Sequence, residues 1–222
     1  AGMIRPQLKT ATMLAFLVTD ANATPGALRR ALTAAVDSSF NMLNIDNETS
    51  TSDMVLLMAN GEAGNRKLTE RRMDKRFQAG LECALKELVW MMAKDGEGAT
   101  RIIAVHVENA RNLAEARMAA RAVAGSNLVK TAVFGRDPNW GRIIAAVGYS
   151  GAIFDPSRVS IALESERGRV ELLRRGKPPT RRALLRAKDI MRSREIEIHV
   201  NLRAGKACAT AWGCDLTYDY VR

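Results

Sequence analysis

The chain has 222 residues and a mass of 24.3 kDa, enough for one large domain or two small ones. Its 47% hydrophobic and 26% charged content excludes a disordered tail or a low-complexity fibre, and no run approaches the roughly 18 apolar residues of a membrane-spanning helix. Lys and Arg number 34 against 24 Asp and Glu, a net charge of +10, but interleaved acids and only 5% aromatics argue against a nucleic-acid platform and for a solvated Arg-rich surface or attraction of small anions.

In chain order, TMLAFLVTD at 12–20 has the apolar character of a buried strand. Thr24 followed by Pro25 predicts a capped helix running to about Asn41, its apolar face carried by Leu28, Leu32, Ala35 and Val36. The polar run DNETSTSD at 46–53 predicts a loop that caps a second helix over 54–59. Residues 67–94 give the longest helical pattern, with Phe77, Leu81, Ala84, Leu85, Leu88 and Met92 three or four apart. TRIIAVHV at 100–107 predicts a strand. A helix over 112–125, a strand over 129–134 and a helix over 139–147 come next. From about residue 151 the texture changes. VSIALES, GRVELLR and REIEIHVNLR predict strands, with a charged helix at 181–191 and a terminal strand within 207–221. The pattern is α/β, helices outside a mixed sheet, with a division between 12–150 and 151–222. Neither a dinucleotide-binding glycine pattern nor a phosphate loop is present.

Cys83, Cys208 and Cys214 are odd in number and lack zinc spacing, so reduced thiols, a cytoplasmic setting and no metal site are expected, with Cys83 a small core residue. His106 and His199 fall in strand-like runs and are expected to be structural. The start, AGMIRPQLKTATML, is neither a signal peptide nor a transit peptide and lacks an initiator Met, which suggests a piece of a longer protein.

Three places could carry chemistry. Thr12 follows Ala11 directly ahead of a buried strand, although β-branched residues commonly open strands. In Asp95-Gly96-Glu97-Gly98, Gly96 is placed to end the helix in the left-handed region, and flanking glycines let a ligand approach Glu97; a plain turn with an exposed Glu fits as well. In FGRDPNWG at 134–141, Asp137 is placed to cap the next helix and Trp140 to pack under a rigid loop.

ATMLAF at 11–16, DNETSTSD at 46–53, MANG at 58–61, DGEGAT at 95–100, LVKTAVFGRDPNWGRIIAAVGYSG at 128–151 and ATAWGCDLTYDYV at 209–221 occur in that order. Together they resemble the β-chain half of the ornithine acetyltransferases, also called bifunctional glutamate N-acetyltransferases, over nearly the whole chain. The resemblance implies mixed sheets layered with helices, the fold shared with DmpA-like self-processing enzymes. It implies a precursor that cleaves itself between Ala11 and Thr12, leaving 1–11 as a residual upstream segment. The freed Thr12 becomes both nucleophile and substrate contact, and Glu97 matches the family's substrate-binding Glu. The implied reaction moves acetyl from N-acetylornithine to glutamate through an acetyl-threonine, in arginine biosynthesis. Some members take acetyl-CoA as donor, and no metal or prosthetic group is needed. The implied partner is an upstream α chain, in an α2β2 heterotetramer. The oxyanion-hole donors and a substrate-binding Lys belong to that α chain. A substrate-contacting Asn and a Ser or Thr normally come after the YV at 220–221. Two extra residues between Pro6 and Thr12 make Thr10 a minor rival, but only Thr12 has Ala before it and the rest of ATMLAF after it.

Overall fold

Residues 13–48 and 52–221 are described by the computed structural model of the chain. They form eight strands and six α-helices: β1 (Leu14–Thr19), α1 (Pro25–Asp37), β2 (Leu43–Asn44), β3 (Met54–Ala59), α2 (Lys75–Lys94), β4 (Ile102–Ala110), α3 (Leu113–Ala124), α4 (Asn127–Phe134), α5 (Trp140–Tyr149), β5 (Ser160–Ser165), β6 (Gly168–Leu173), α6 (Arg181–Ile190), β7 (Glu195–Asn201) and β8 (Ala207–Cys214). β1 and β3 pair in parallel. The other six strands make a mixed sheet in the order β2-β8-β4-β7-β5-β6, so strands from both sides of residue 150 share one sheet.

The layering reflects where each period-two or period-3.6 pattern puts its apolar side chains. Helices α1 and α2 lie between the two sheets. Ala31, Ala35, Leu81, Leu85, Val89 and Ala93 pack with Met13 and Ala15 on one side and with Ile102 and Cys214 on the other. The second core lies on the opposite face of the six-stranded sheet. There Ile103, Val105 and Val107 of β4 and Ile196, Ile198 and Val200 of β7 meet α3, α4, α5 and α6. The alternate positions of β4 and β7 project from the other face. Each of these six helices opens on Thr24, Asp74, Asn112, Ser126, Asn139 or Thr180, whose side chain accepts a first-turn N–H. Such a cap is worth about 1 kcal/mol.

Several expectations are corrected. Residues 54–59 form strand β3, not a helix. In MVLLMA both faces are apolar, so period two is invisible in the sequence: Val55 and Leu57 pack inward, while Met54, Leu56 and Met58 point out. Residues 129–134 lie in helix α4, not a strand. Ser126 Oγ accepts from Val129 N at 3.3 Å and starts a helix that the β-branched residues alone would not choose. Helix α2 begins at Lys75 rather than 67, because Thr69 and Arg72 exchange backbone hydrogen bonds in a turn and Asp74 then caps the helix. Cys83 is exposed, on the side of α2 away from the Leu81–Leu85–Val89 stripe. Asn139, not Asp137, caps α5. Among the described residues, no helix is long and apolar enough to cross a membrane.

Candidate active site

Thr12, Ala11 and the rival Thr10 lie outside the described residues. The neighbour of Thr12, Met13, is buried at the head of β1. Parallel pairing puts Asp53 beside it: Met13 N donates to Asp53 Oδ1 at 2.6 Å, and Met54 N donates to Met13 O at 2.6 Å. The last residue of the DNETSTSD loop thus fixes the backbone one residue after the predicted cleavage bond. A cavity of about 270 Å³ opens there, lined by Met13, Thr33, Asp37, Asn41, Asp53 and Val55, among others. Asn41 Oδ1 is buried in this region with no hydrogen-bond partner among the described residues. Asn41 and Asp37 carry no signal in the sequence, since nothing marks them out at the end of an ordinary helix.

Glu97 is exposed in the loop after α2. The left-handed residue of this loop is Gly98, with φ +62°, and not Gly96. What Gly98 admits is the C-terminal segment: a Cβ placed on it would lie 2.5 Å from Tyr220 N and 2.8 Å from the Asp219 carbonyl carbon. Thr217 Oγ1 also donates to Gly98 O at 2.6 Å. Desolvation, and then the negative charges of Asp46, Glu97 and Glu48, push the Tyr220 phenol above its usual range. The charges at the opening of the DNETSTSD loop thus act on Tyr220 together with Glu97, while the end of that loop holds Met13.

Beneath this loop runs a buried polar spine. Asp215, 2% exposed, accepts from Thr100 N (2.8 Å), Thr100 Oγ1 (2.5 Å) and Arg101 N (2.8 Å), and its Oδ2 lies 3.4 Å from Arg101 Nη1. Arg101 also donates to the Met191 and Phe134 carbonyls, at 3.2 and 3.4 Å. The DGEGAT and GCDLTYDY blocks are thus two halves of one network. Lys130, 1% exposed, donates from Nζ to Ile45 O, one residue ahead of DNETSTSD, and sits 3.8 Å from Cys214 Sγ. Burial pushes the Lys130 ammonium below its usual range and the Cys214 thiol above it, each partly offset by the other. The sequence signal for Lys130 was a lone cation within the apolar run LVKTAVF.

His106 and His199, far apart in sequence, are direct neighbours across β4 and β7, their rings stacked with centroids 4.9 Å apart. Their spacing along the chain gives no sign of this meeting.

These features define a layered α/β chain whose parallel strand pair begins at a cavity lined by Met13, Asp37, Asn41 and Asp53, with an exposed carboxylate, Glu97, on the loop after α2. Its family is given by comparison with known proteins. The ArgJ family model matches residues 1–222, and the chain belongs to that family. It is 50% identical, over 223 residues, to the arginine biosynthesis bifunctional protein ArgJ of Symbiobacterium thermophilum, covering 100% of this chain and 54% of the relative. It is 49% identical over 225 residues to the glutamate N-acetyltransferase of Methanothermobacter thermautotrophicus, with the same coverage. The crystal structure of the arginine biosynthesis bifunctional protein ArgJ from Bacillus halodurans matches with a TM-score of 0.89 at 44% identity, over 95% of this chain and 98% of that one. The chain therefore spans about half the length of the curated relatives it matches.

Proposed function

We propose that this chain is the β half of a glutamate N-acetyltransferase of arginine biosynthesis. It carries acetyl from N-acetylornithine to glutamate on Thr12 after the precursor severs its own Ala11–Thr12 bond. The observation that carries this reading is near-half identity, along the entire chain, to relatives named for that activity and pathway.

The chemistry explains why cleavage would matter. A Thr hydroxyl is a weak nucleophile until a base takes its proton. An amide nitrogen cannot do so, whereas the α-amino group released by cleavage titrates just above neutral pH. Thr12 Oγ1 then attacks the acetyl carbonyl of N-acetylornithine, ornithine leaves with the proton, and the acetyl group stays as an ester. The amine of glutamate attacks that ester, restoring the hydroxyl and releasing N-acetylglutamate. Asp53 supports this arrangement by anchoring the backbone next to Thr12, and the neighbouring cavity offers room for a small acyl group.

The partner in this reading is the upstream α half of the same precursor, in an α2β2 assembly. In support, Leu14, Phe16 and Val18 of β1 and Met54, Leu56 and Met58 of β3 all present apolar side chains on one uncovered face; Val18 is 77% exposed. Contiguous apolar surface of this kind marks an interface. The relatives also have nearly as much chain again beyond the matched half.

The test uses the whole protein, both halves together, incubated with N-acetylornithine with and without glutamate. N-acetylglutamate formed only in the presence of glutamate is expected. Free acetate formed regardless of glutamate would instead mean that water is the acceptor, as in a self-processing amidase, and would overturn the assignment. Glu97→Gln is expected to raise the KM for the amino-acid substrates by roughly ten- to a hundredfold, since a charge-assisted hydrogen bond is worth about 1.5–3 kcal/mol. Cleavage should remain complete in that variant, which intact mass would check. Loss of cleavage would place Glu97 in processing or folding.

A further inference from the structure

We infer that His106, His199 and Glu197 form a binding site for a divalent cation of zinc type on the polar face of the six-stranded sheet. Among the described residues, His106, Glu197 and His199 are the one group of three or more His, Cys, Asp or Glu side chains whose ligand atoms all lie within 4.8 Å of one another. The sheet itself builds the group. His106 of β4 is paired with His199 of β7, and Glu197, two residues before His199, projects from the same face, so three side chains converge from two adjacent strands.

The distances suit a shared ion better than hydrogen bonds. Glu197 Oε2 lies 3.3 Å from His106 Nε2 and 3.3 Å from His199 Nε2; Glu164 Oε2 borders the group, 3.1 Å from His199 Nε2, and accepts from Arg169 Nη1 at 2.9 Å. A charge-assisted N–H···O⁻ contact is normally about 2.7–2.9 Å. Two ligands on a tetrahedral zinc, each about 2.0–2.2 Å from the ion, are separated by about 3.3–3.5 Å. Both ring nitrogens of His199 are buried and make no aligned hydrogen bond, although two carboxylate oxygens flank Nε2. His106 Nδ1 is held by Thr210 Oγ1 at 3.0 Å, which turns Nε2 toward the carboxylates, as an outer hydrogen bond does for a metal-bound imidazole. Nitrogen in the set favours zinc over magnesium or calcium, which prefer all-oxygen shells. Three protein ligands on rigid strands would tie β4 to β7 and leave the fourth tetrahedral position to water.

The experiment takes the whole protein, stripped with a chelator and returned to metal-free buffer. It is titrated with Zn²⁺ by calorimetry and with Co²⁺ by visible absorption. One equivalent of Zn²⁺ is expected per 222-residue chain, with the intense d–d bands of tetrahedral Co²⁺. The Tm should rise by several degrees once zinc exceeds Kd by about a hundredfold. His199→Ala is expected to abolish the site. Because that side chain is largely buried, Glu197→Gln and His106→Gln, at more exposed positions, serve as the folded controls; each should weaken zinc at least tenfold without changing the metal-free Tm. No saturable zinc binding at micromolar concentration, octahedral-type cobalt spectra, or binding equal to wild type in Glu197→Gln and His106→Gln would each overturn the assignment.

Discussion

Replacing Thr12 with Ala is expected to leave the precursor uncut and acetyl transfer undetectable. Both steps need the same oxygen in the reading proposed here: first to attack the Ala11 carbonyl, then to carry the acetyl group. Removing a nucleophile that works within a unit with its base costs on the order of 10⁶ in kcat in a serine hydrolase. Thr12→Ser keeps the hydroxyl and should retain part of both activities, reduced because the lost methyl group leaves the side chain freer to rotate. The measurements are the N-terminal residue of the mature chain, the acetylglutamate formed per minute, and a mass gain of about 42 Da on Thr12, one acetyl replacing one hydrogen, after exposure to N-acetylornithine without glutamate. A Thr12→Ala protein that is cut and turns over normally would move the nucleophile elsewhere, with Thr10 the next residue to replace.

How much the sequence could tell depends on how local each signal is. Helices α1, α2, α3 and α6 were legible because each has one apolar stripe; the start of α2 was not, because its cap Asp74 follows a polar turn that reads as more helix. Strands β4 and β7 were legible from their β-branched runs. β3 was not, because its outward residues Met54, Leu56 and Met58 are as apolar as its inward ones. The outward face is apolar and uncovered among the described residues, as the interface proposed above requires. Of the proposed site, Thr12 and Glu97 came from ordered motif blocks and not from periodicity. The link between Asp53 and Met13 needed the parallel register of β1 and β3. The meeting of His106 with Glu197 and His199 needed the register of β4 with β7. Long-range register is the property a single sequence encodes least directly, since each strand reads the same whichever neighbour it takes.

The second large effect is expected from Asp215→Ala, which should cost roughly 3–5 kcal/mol of stability, the usual result of removing one member of a buried ion pair. The side chain is fully enclosed, and Arg101 beside it is nearly so. Without the carboxylate, Arg101 becomes a buried cation with only carbonyl and hydroxyl acceptors, while the Thr100 and Arg101 N–H groups lose their shared acceptor. For a domain of this size, the deficit lowers Tm by roughly 6–20 °C, readable by calorimetry on the whole protein. Asp215→Asn keeps the volume and one acceptor oxygen, so it should fall between Asp215→Ala and wild type. The loss would also reach function. Thr100 and Arg101 close the same loop that carries Glu97, and Thr217, two residues past Asp215, holds Gly98. In the reading proposed above, Asp215→Asn assayed below its lowered Tm should therefore raise KM for the amino-acid substrates while leaving cleavage at Ala11–Thr12 intact. An Asp215→Ala protein as stable as wild type would mean that the Thr100 and Arg101 groups find other partners, and that the DGEGAT and GCDLTYDY blocks are held together by packing alone.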